Sequence, residues 1–175
     1  MKLNKIVLAV SLAFGVTAFA QADDGHGSVT FTGSIIDAPC TIDPDTIDQT
    51  VEMGQVSNVA LAANKNTGAS APKNFEIRLE QCDISTKKSV TATFTGIKGG
   101  TTGLLGLTGT ARGASLAMAD SGGRLIELGK ATVVQELLTS NNTLEFSAYL
   151  QGDGASTAIV PGSFKGVTNF TLAYQ

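Results

Sequence analysis

The chain ends with Val167-Thr-Asn-Phe-Thr-Leu-Ala-Tyr-Gln175, which has the alternation of a half-buried β-strand. Successive side chains of a strand point to opposite faces, so Phe170, Leu172 and Tyr174 would share one face. The residues between them are polar or small, which is typical of the opposite, solvent-facing side. We therefore predict a strand over residues 166–174, and the fold depends on which strand covers its second edge.

The same two-residue period recurs in seven more short runs. The chain has 20 glycines and no tryptophan, a composition typical of a turn-rich β protein. Asp120-Ser-Gly-Gly123 would join two of the runs as a hairpin, because glycine accepts the positive φ that tight turns need. Eight runs separated by turns indicate an all-β sandwich or barrel. The seven further runs are residues 28–36, 49–56, 74–81, 89–95, 114–119, 124–128 and 143–151.

Three segments between these runs have no clear alternation. Residues 64–72 and 99–103 have the composition of loops, rich in Asn, Ser, Gly and Thr. Residues 131–140 fit either a short helix or an irregular loop.

Residues 1–22 have the order of a secretory signal peptide. Lys2 and Lys5 precede an apolar run that is shorter than the about 20 residues a membrane-spanning helix needs. The small residues Ala20 and Ala22 offer two cleavage points, and we place cleavage after Ala22. We therefore expect an exported protein without a retained membrane anchor.

Charge and length exclude several classes of protein. Without residues 1–22, the chain keeps 10 of its 12 basic residues and all 15 acidic residues, a balance of −5. This balance disfavours a surface that binds nucleic-acid phosphates. The remaining length suits one domain with a sizeable core.

The two cysteines of the chain predict a disulfide. Cys40 and Cys82 both lie in the exported part, and an even count in an oxidising compartment is typical of paired cysteines. Two unpaired buried thiols are the alternative. A zinc site would need more ligands than two cysteines and one histidine supply, so we expect no metal.

No arrangement of residues predicts catalysis or a cofactor. The single histidine, His26, lies in the polar stretch of residues 23–27, where nothing would hold a catalytic base in place. Residues 123–131 resemble a phosphate-binding loop superficially, but Ala131 replaces the Ser or Thr that holds the metal ion. We therefore expect no enzymatic activity, no cofactor and no small-molecule substrate.

The residues after the predicted signal peptide alternate as clearly as the C-terminal strand. One face would carry apolar residues and glycines: Gly27, Val29, Phe31, Gly33 and Ile35. The positions between them are Ser or Thr. Apolar side chains interrupted by glycines let another backbone come close. From the pattern alone, the segment is an ordinary first strand paired within its own sheet.

Five motifs follow one another over nearly the whole chain after residue 22. They are Gly33-Ser-Ile-Ile-Asp-Ala-Pro-Cys40, Gln49-Thr-Val-Glu-Met-Gly-Gln-Val56, Phe75-Glu-Ile-Arg-Leu-Glu-Gln-Cys-Asp83, Ala148-Tyr-Leu-Gln151 and Phe170-Thr-Leu-Ala-Tyr-Gln175. Their order resembles that of chaperone-usher pathway pilins, above all type 1-like major fimbrial subunits of the MR/P type. Two single positions agree with the C-terminal motif of that family: Tyr174 is penultimate, and Gly162 is the fourteenth residue counted back from Gln175.

The resemblance implies an incomplete immunoglobulin-like β-sandwich that lacks its final strand, which another chain supplies as a donor strand. Residues 23–35 would be the N-terminal donor-strand extension, and residues 36–175 the pilin domain. A periplasmic chaperone would first insert a strand into the open groove. At an outer-membrane usher, the extension of the next subunit would replace that strand.

The resemblance also implies roles for single residues. The groove-edge strand that the chaperone contacts would include Gly162, Phe170, Leu172 and Tyr174. For Gly162, a plain turn after the preceding proline is the other interpretation. In the donor strand, Gly27 and Gly33 share a face, and the sequence does not decide which of the two is critical.

These features together predict a structural subunit of a surface fimbria that supports cell adhesion. Such a subunit would pass through the periplasm and form a head-to-tail polymer with identical or related pilins. Two alternatives stay open: a minor adaptor pilin, and a self-sufficient secreted β-sandwich binding module. The second alternative requires the segment at 28–36 to pair within its own chain.

Overall fold

The computed structural model describes residues 27–33, 35 and 38–175. The chain divides into two units, one that ends at Ile35 and one that runs from Ile36 to Gln175. The predicted signal peptide lies outside the described residues, as do residues 23–26 of the predicted extension.

The described residues of the first unit, 27–33 and 35, form neither helix nor strand. Val29, Phe31 and Ile35 are 78%, 91% and 105% exposed. The strand predicted over residues 28–36 is therefore wrong for the described part of that range. A strand is held by ladder hydrogen bonds to a partner, and these residues take part in no ladder.

The second unit is a β structure with two short helices. In chain order its elements are β1 (Thr41–Ile42), α1 (Pro44–Ile47), α2 (Asn58–Asn66), β2 (Lys73–Cys82), β3 (Ser89–Gly96), β4 (Thr108–Gly109), β5 (Ala114–Asp120), β6 (Leu125–Ile126), β7 (Gln135–Glu136), β8 (Ser140–Gly152), β9 (Phe164–Lys165) and β10 (Thr168–Tyr174). Five predicted strands are confirmed within three residues at each end: those at 74–81, 89–95, 114–119, 143–151 and 166–174. The run at 124–128 is shorter than predicted and forms β6.

The strands form two main sheets that share one core. One sheet has the order β1-β2-β8-β5-β6, the other β10-β3-β7, and β4 pairs with β9 separately. All these pairings are antiparallel. The inward-facing side chains of both main sheets belong to one buried cluster, which includes Ile77 and Leu79 of β2, Val90, Ala92 and Phe94 of β3, and Leu144 and Phe146 of β8.

Aromatic rings fill the centre of this core. The rings of Phe94 and Phe146 lie 5.1 Å apart and meet edge to face. Phe75 stacks on Phe146 at 5.4 Å. Because Phe94 belongs to one sheet and Phe146 to the other, their contact joins the two layers, whereas Phe75 and Phe146 pack within one sheet. Each such pair contributes about 0.5–1.5 kcal/mol beyond its buried area.

The predicted disulfide between Cys40 and Cys82 is present. It joins the residue just before β1 to the last residue of β2, and both cysteines are buried. The end of β2 bends at this point, because the register with β8 shifts between Leu79 and Cys82, and Gln81 has a φ of 53°. The disulfide therefore fixes the start of β1 beside the end of β2 in the larger sheet.

The strand predicted over residues 49–56 is wrong, since the structure is irregular there. Gly54 has a φ of 68°, a conformation that an extended strand does not use. The contact with β2 is made by a side chain, because the Gln49 amide donates to the Glu76 carbonyl oxygen at 2.9 Å. The sequence of this segment therefore alternates between apolar and polar residues, but its backbone joins no β-ladder.

Both helices were missing from the prediction, although α1 has a clear signal. The Asp43 carboxylate accepts a hydrogen bond from the Asp45 backbone N–H, and Pro44 occupies the first helical position. Asp before Pro is a common helix start. Helix α2 ends in Asn64, Lys65 and Asn66, which all have positive φ, so the loop predicted at 64–72 begins within its last residues.

The hairpin predicted at residues 120–123 is confirmed, because β5 and β6 pair across it. Asp120 closes the turn: its carboxylate accepts hydrogen bonds from the backbone N–H groups of Gly122 and Arg124, both at 2.9 Å. The bond from Arg124 is the main reason why the pKa of Asp120 lies below its ordinary value of 3.8. Residues 131–140 contain no helix, so the irregular alternative is confirmed, interrupted by β7.

We expect Asp120→Ala to lower the free energy of unfolding by about 1–3 kcal/mol, since two backbone N–H groups of the turn lose a charged acceptor. A pKa lowered by folding contributes stability above the unfolded-state pKa, and this contribution is lost as pH falls through the folded-state pKa. The variant should therefore differ from the wild type near neutral pH and converge with it in acid. Urea unfolding at about pH 7 and about pH 2 measures both effects.

Arg124→Ala is the matched control for this prediction. It removes an ion pair whose arginine side chain is 64% exposed and leaves both backbone donors in place. The change should cost less than about 1 kcal/mol. Equal losses in the two variants would contradict the role of the carboxylate as the acceptor that closes the turn.

Candidate functional site at the edge of the last strand

Strand β10 lies at the end of its sheet. It pairs with β3 along its whole length, from Thr168 opposite Gly96 to Tyr174 opposite Val90. Within the part of the chain that the structure describes, no strand pairs with its second edge. Backbone N–H and C=O groups along that edge are therefore free to pair with an added strand.

The core-facing side of β10 is incompletely covered. Phe170, Leu172 and Tyr174 are only half-buried, although all three pack against the core. Their direct partners on β3 are Phe94, Ala92 and Val90, which are each 1% exposed. The core side chains are thus fully buried on β3 but only half-buried on β10, the next strand of the sheet.

The open edge carries no charged side chain. From Val167 to Gln175 the sequence contains no Asp, Glu, Lys, Arg or Pro side chain. Natural sheets usually protect an edge with charged residues, proline or a covering loop. An edge without such protection, beside a partly exposed core, is suited to bind a strand with an apolar face.

Tyr174 is the single polar group on the core-facing side of β10 beyond Thr168. Its hydroxyl is buried and has no hydrogen-bond partner among the described residues. Burial raises the pKa of the Tyr174 phenol. The next residue, Gln175, still pairs with β3, because its backbone N–H donates to Ser89 and its carbonyl accepts from Lys88 and Ser89.

Gly162 lies apart from the other residues predicted at this edge. It precedes β9 and sits against the backbone of Thr110 and Ala111, where a Cβ would find no room. The structure therefore places Phe170, Leu172 and Tyr174 together on one strand, with Gly162 outside it. The role of Gly162 in binding a chaperone stays a prediction.

The structure gives no preference between the two glycines of the predicted donor strand. A Cβ at Gly27 or at Gly33 would meet no atom within 4 Å. No contact with the described residues therefore requires glycine at either position.

Two other classes of site have no candidate among the described residues. No group of three or more His, Cys, Asp or Glu side chains there could hold a metal ion. None of the helices described has the length and apolarity to cross a membrane.

The chain is similar to known fimbrial proteins over its whole length. The family model described as fimbrial protein matches residues 29–175. The Fimbria A protein of Serratia marcescens is 62% identical over 177 residues, covering 100% of both chains. The major MR/P fimbria protein of Proteus mirabilis strain HI4320 is 48% identical over 179 residues, again covering 100% of both.

Solved structures with the same fold come from pili. The P pilus rod subunit PapA matches with a TM-score of 0.69 and 29% sequence identity, over 79% of this chain and 100% of that chain. A chain from a chaperone-usher pilus, whose structure addresses rod uncoiling, matches with a TM-score of 0.72 and 31% identity, over 87% of this chain and 97% of that chain.

Proposed function

Since the chain belongs to the fimbrial protein family and is a structural subunit of a cell-surface pilus, we propose that its subunits join by donor-strand exchange. The predicted fold class is confirmed as the immunoglobulin-like sandwich that lacks a final strand. In the proposed joint, residues 23–35 of one subunit add a strand to the open edge of β10 in the next. The observation that carries the proposal is this edge, uncharged and unpaired beside an incompletely covered core.

The donor segment has the side chains that such a groove requires. Val29, Phe31 and Ile35 are exposed in the described chain. Burial in the groove of a neighbour would stabilise the joint by about 1.5–3 kcal/mol for each of them. Ladder hydrogen bonds would add about 0.5–1.5 kcal/mol each.

Ordering the donor segment opposes these gains. Fixing each backbone residue costs about 1–2 kcal/mol. The two contributions are of similar size, so the joint is favourable only when the apolar side chains fit the groove closely. This requirement favours a partner with a matching extension, namely an identical or related pilin.

The assembly route is also part of this proposal. Residues 1–22 would direct export, and a periplasmic chaperone would protect the β10 edge until an outer-membrane usher receives the subunit. Phe170, Leu172 and Tyr174 would line the edge that the chaperone strand contacts. The finished fibre would support cell adhesion without enzymatic activity.

The two rival interpretations fit the observations less well. A self-sufficient binding module needs the segment at 28–36 as a strand of its own sheet, whereas its described residues form no strand. A minor adaptor pilin would have the same joint, but the relatives of this chain include a major fimbria protein that matches along 100% of its length. We therefore favour a major shaft subunit.

Heating of surface material tests the proposed function. Fibres joined by donor strands should run on an unboiled denaturing gel as a ladder of multimers, because the joints are non-covalent and dissociate slowly. Boiling should collapse the ladder to a single band. A single monomer band from unboiled, fibre-bearing cells would contradict the proposal.

Substitution of the two glycines separates their roles. We expect one of the variants Gly33→Leu and Gly27→Leu to block or slow incorporation, because its new side chain would overlap the partner. That variant identifies the glycine that faces the closest part of the groove. Each variant is compared with Ser28→Leu, which lies on the opposite face of the same segment. The measurement is the rate at which the multimer ladder forms, and equal rates for all three would show that neither glycine is constrained.

A further inference from the structure

Gly162 makes a close backbone contact with a distant part of the chain. A Cβ at this position would lie 2.6 Å from the backbone nitrogen of Ala111 and 2.8 Å from the carbonyl carbon of Thr110. Backbone atoms cannot move aside as the end of a flexible side chain can. Glycine is thus required for the two segments to approach each other.

These segments form a narrow antiparallel ribbon, residues 108–113 against residues 158–165, which we name the closing ribbon. It includes the β4–β9 pair and the bridge between Arg112 and Val160. Gly109 and Gly113 have positive φ, and a Cβ on either would likewise meet the backbone of the opposite segment. Close approach of the two backbones is therefore a property of the whole ribbon.

The closing ribbon contains a bulge at Gly162. Between the pairs Gly109–Phe164 and Arg112–Val160, one segment has two residues and the other has three. The Ser163 carbonyl oxygen accepts from both Thr110 N–H and Ala111 N–H, at 2.9 and 3.0 Å. Such a bulge shifts the register of the chain that follows it by one residue.

Strand β10 follows the closing ribbon, and burial of its own side chains defines its register against β3 only weakly. A slip of one residue would turn the apolar face outwards, but a slip of two residues would preserve the alternation. Phe170 and Leu172 are only half-buried, so their burial opposes such a slip less than a sealed core would. A fixed attachment just before Thr168 supplies the missing constraint.

The segment just before the closing ribbon is attached to the larger sheet. Leu105, which is 2% exposed, exchanges two backbone hydrogen bonds with Leu116 of β5, at 2.9 and 2.8 Å. Gly166, directly before β10, lies against the side chains of Leu105 and Leu107. The start of β10 is thus held from both the ribbon and the core.

We propose that Gly162 is a positioning residue that lets the closing ribbon form around its bulge and so sets the register of β10 against β3. It thereby determines where the open edge begins and which side chains face the groove. The consequence for assembly rests on the proposed function, because it takes that edge as the binding site of the donor strand.

The test compares two pairs of variants in the full mature chain. Gly162→Ala is matched by Gly68→Ala, where a Cβ would also overlap backbone, that of Ala60, away from β10. Thr110→Val removes the hydroxyl that accepts from Ser163 N–H at 3.0 Å, and Thr110→Ser retains it. Hydrogen exchange of the β10 amides and binding of a labelled peptide with the sequence of residues 23–35 are measured.

We expect Thr110→Val to fold, to speed exchange of the β10 amides about five-fold through loss of one hydrogen bond, and to weaken peptide binding. Thr110→Ser should match the wild type. Gly162→Ala should affect β10 and peptide binding more than Gly68→Ala does; if it does not fold, the Thr110 pair decides.

Equal β10 exchange in Thr110→Val and Thr110→Ser would overturn the proposal, as would equal effects of the two glycine variants. A wild-type chain that does not bind the peptide, while β10 exchange responds as expected, would contradict donor-strand exchange and still support the positioning role.

Discussion

Removal of residues 23–33 should abolish polymerisation while leaving a subunit that can still receive a strand from another copy. The deletion removes Val29 and Phe31, each of which would contribute about 1.5–3 kcal/mol on burial in a neighbour, together with the ladder hydrogen bonds. The β10 edge, which would accept the strand in the proposed joint, is unchanged. The expected result is loss of the multimer ladder and of visible fibres, with the subunit retained in the periplasm.

Two substitution variants sharpen this experiment. Val29→Ser with Phe31→Ser removes the apolar face of the segment and keeps its length, and should reproduce the deletion. Ser28→Ala with Thr30→Ala changes the other face and should leave the ladder in place. Normal fibres from the deletion variant, or equal ladders from both double variants, would refute the donor role of this segment.

The second large effect is expected for the disulfide. Replacing both Cys40 and Cys82 with Ala should lower the free energy of unfolding by about 4 kcal/mol, because the bond closes a loop with a sequence separation of 42 residues and restricts the unfolded chain accordingly. An average domain has only about 5–15 kcal/mol of stability. We therefore expect a sharp fall in periplasmic yield, and urea unfolding of purified subunits measures the loss directly.

The wild-type chain treated with a reductant is the control for the disulfide variant. Since both cysteines are buried and small, the change to Ala should itself cost little beyond loss of the bond. The reduced wild type and the double variant should therefore unfold at similar urea concentrations. Equal stability of the reduced and oxidised wild type would contradict a structural role for the bond.

The sequence predicted strands well where the chain supplies its own partner. The run at 74–81 faces a core that β8 and β3 complete, and it appears as β2 almost as expected. The runs at 28–36 and 49–56 alternate equally well but join no ladder among the described residues. A period of two reports which faces a strand could present, whereas the existence of a partner depends on the rest of the fold.

For the candidate site too, the sequence predicted what depends on local spacing and missed what depends on distant contacts. Phe170, Leu172 and Tyr174 could be assigned from their spacing, because one strand places them on one face. The packing of Gly162 could not, since its contacts lie with residues about 50 positions earlier, as in the Ser163–Thr110 bond. Asp43-Pro44 is a local signal for the start of α1, which a search for a two-residue period does not detect.

The uncharged character of β10 also bears on the surroundings in which a fibre can persist. Dissolved salt screens interactions between charges, and between Thr168 and Tyr174 there is no charged side chain for it to screen. Acid would protonate carboxylates elsewhere on the subunit, but the apolar and backbone contacts of this strand have none to lose. Salt or acid would therefore act on the proposed joint through other residues, such as Asp23 and Asp24 of the donor extension, while heat and denaturant would act directly on the contacts of β10.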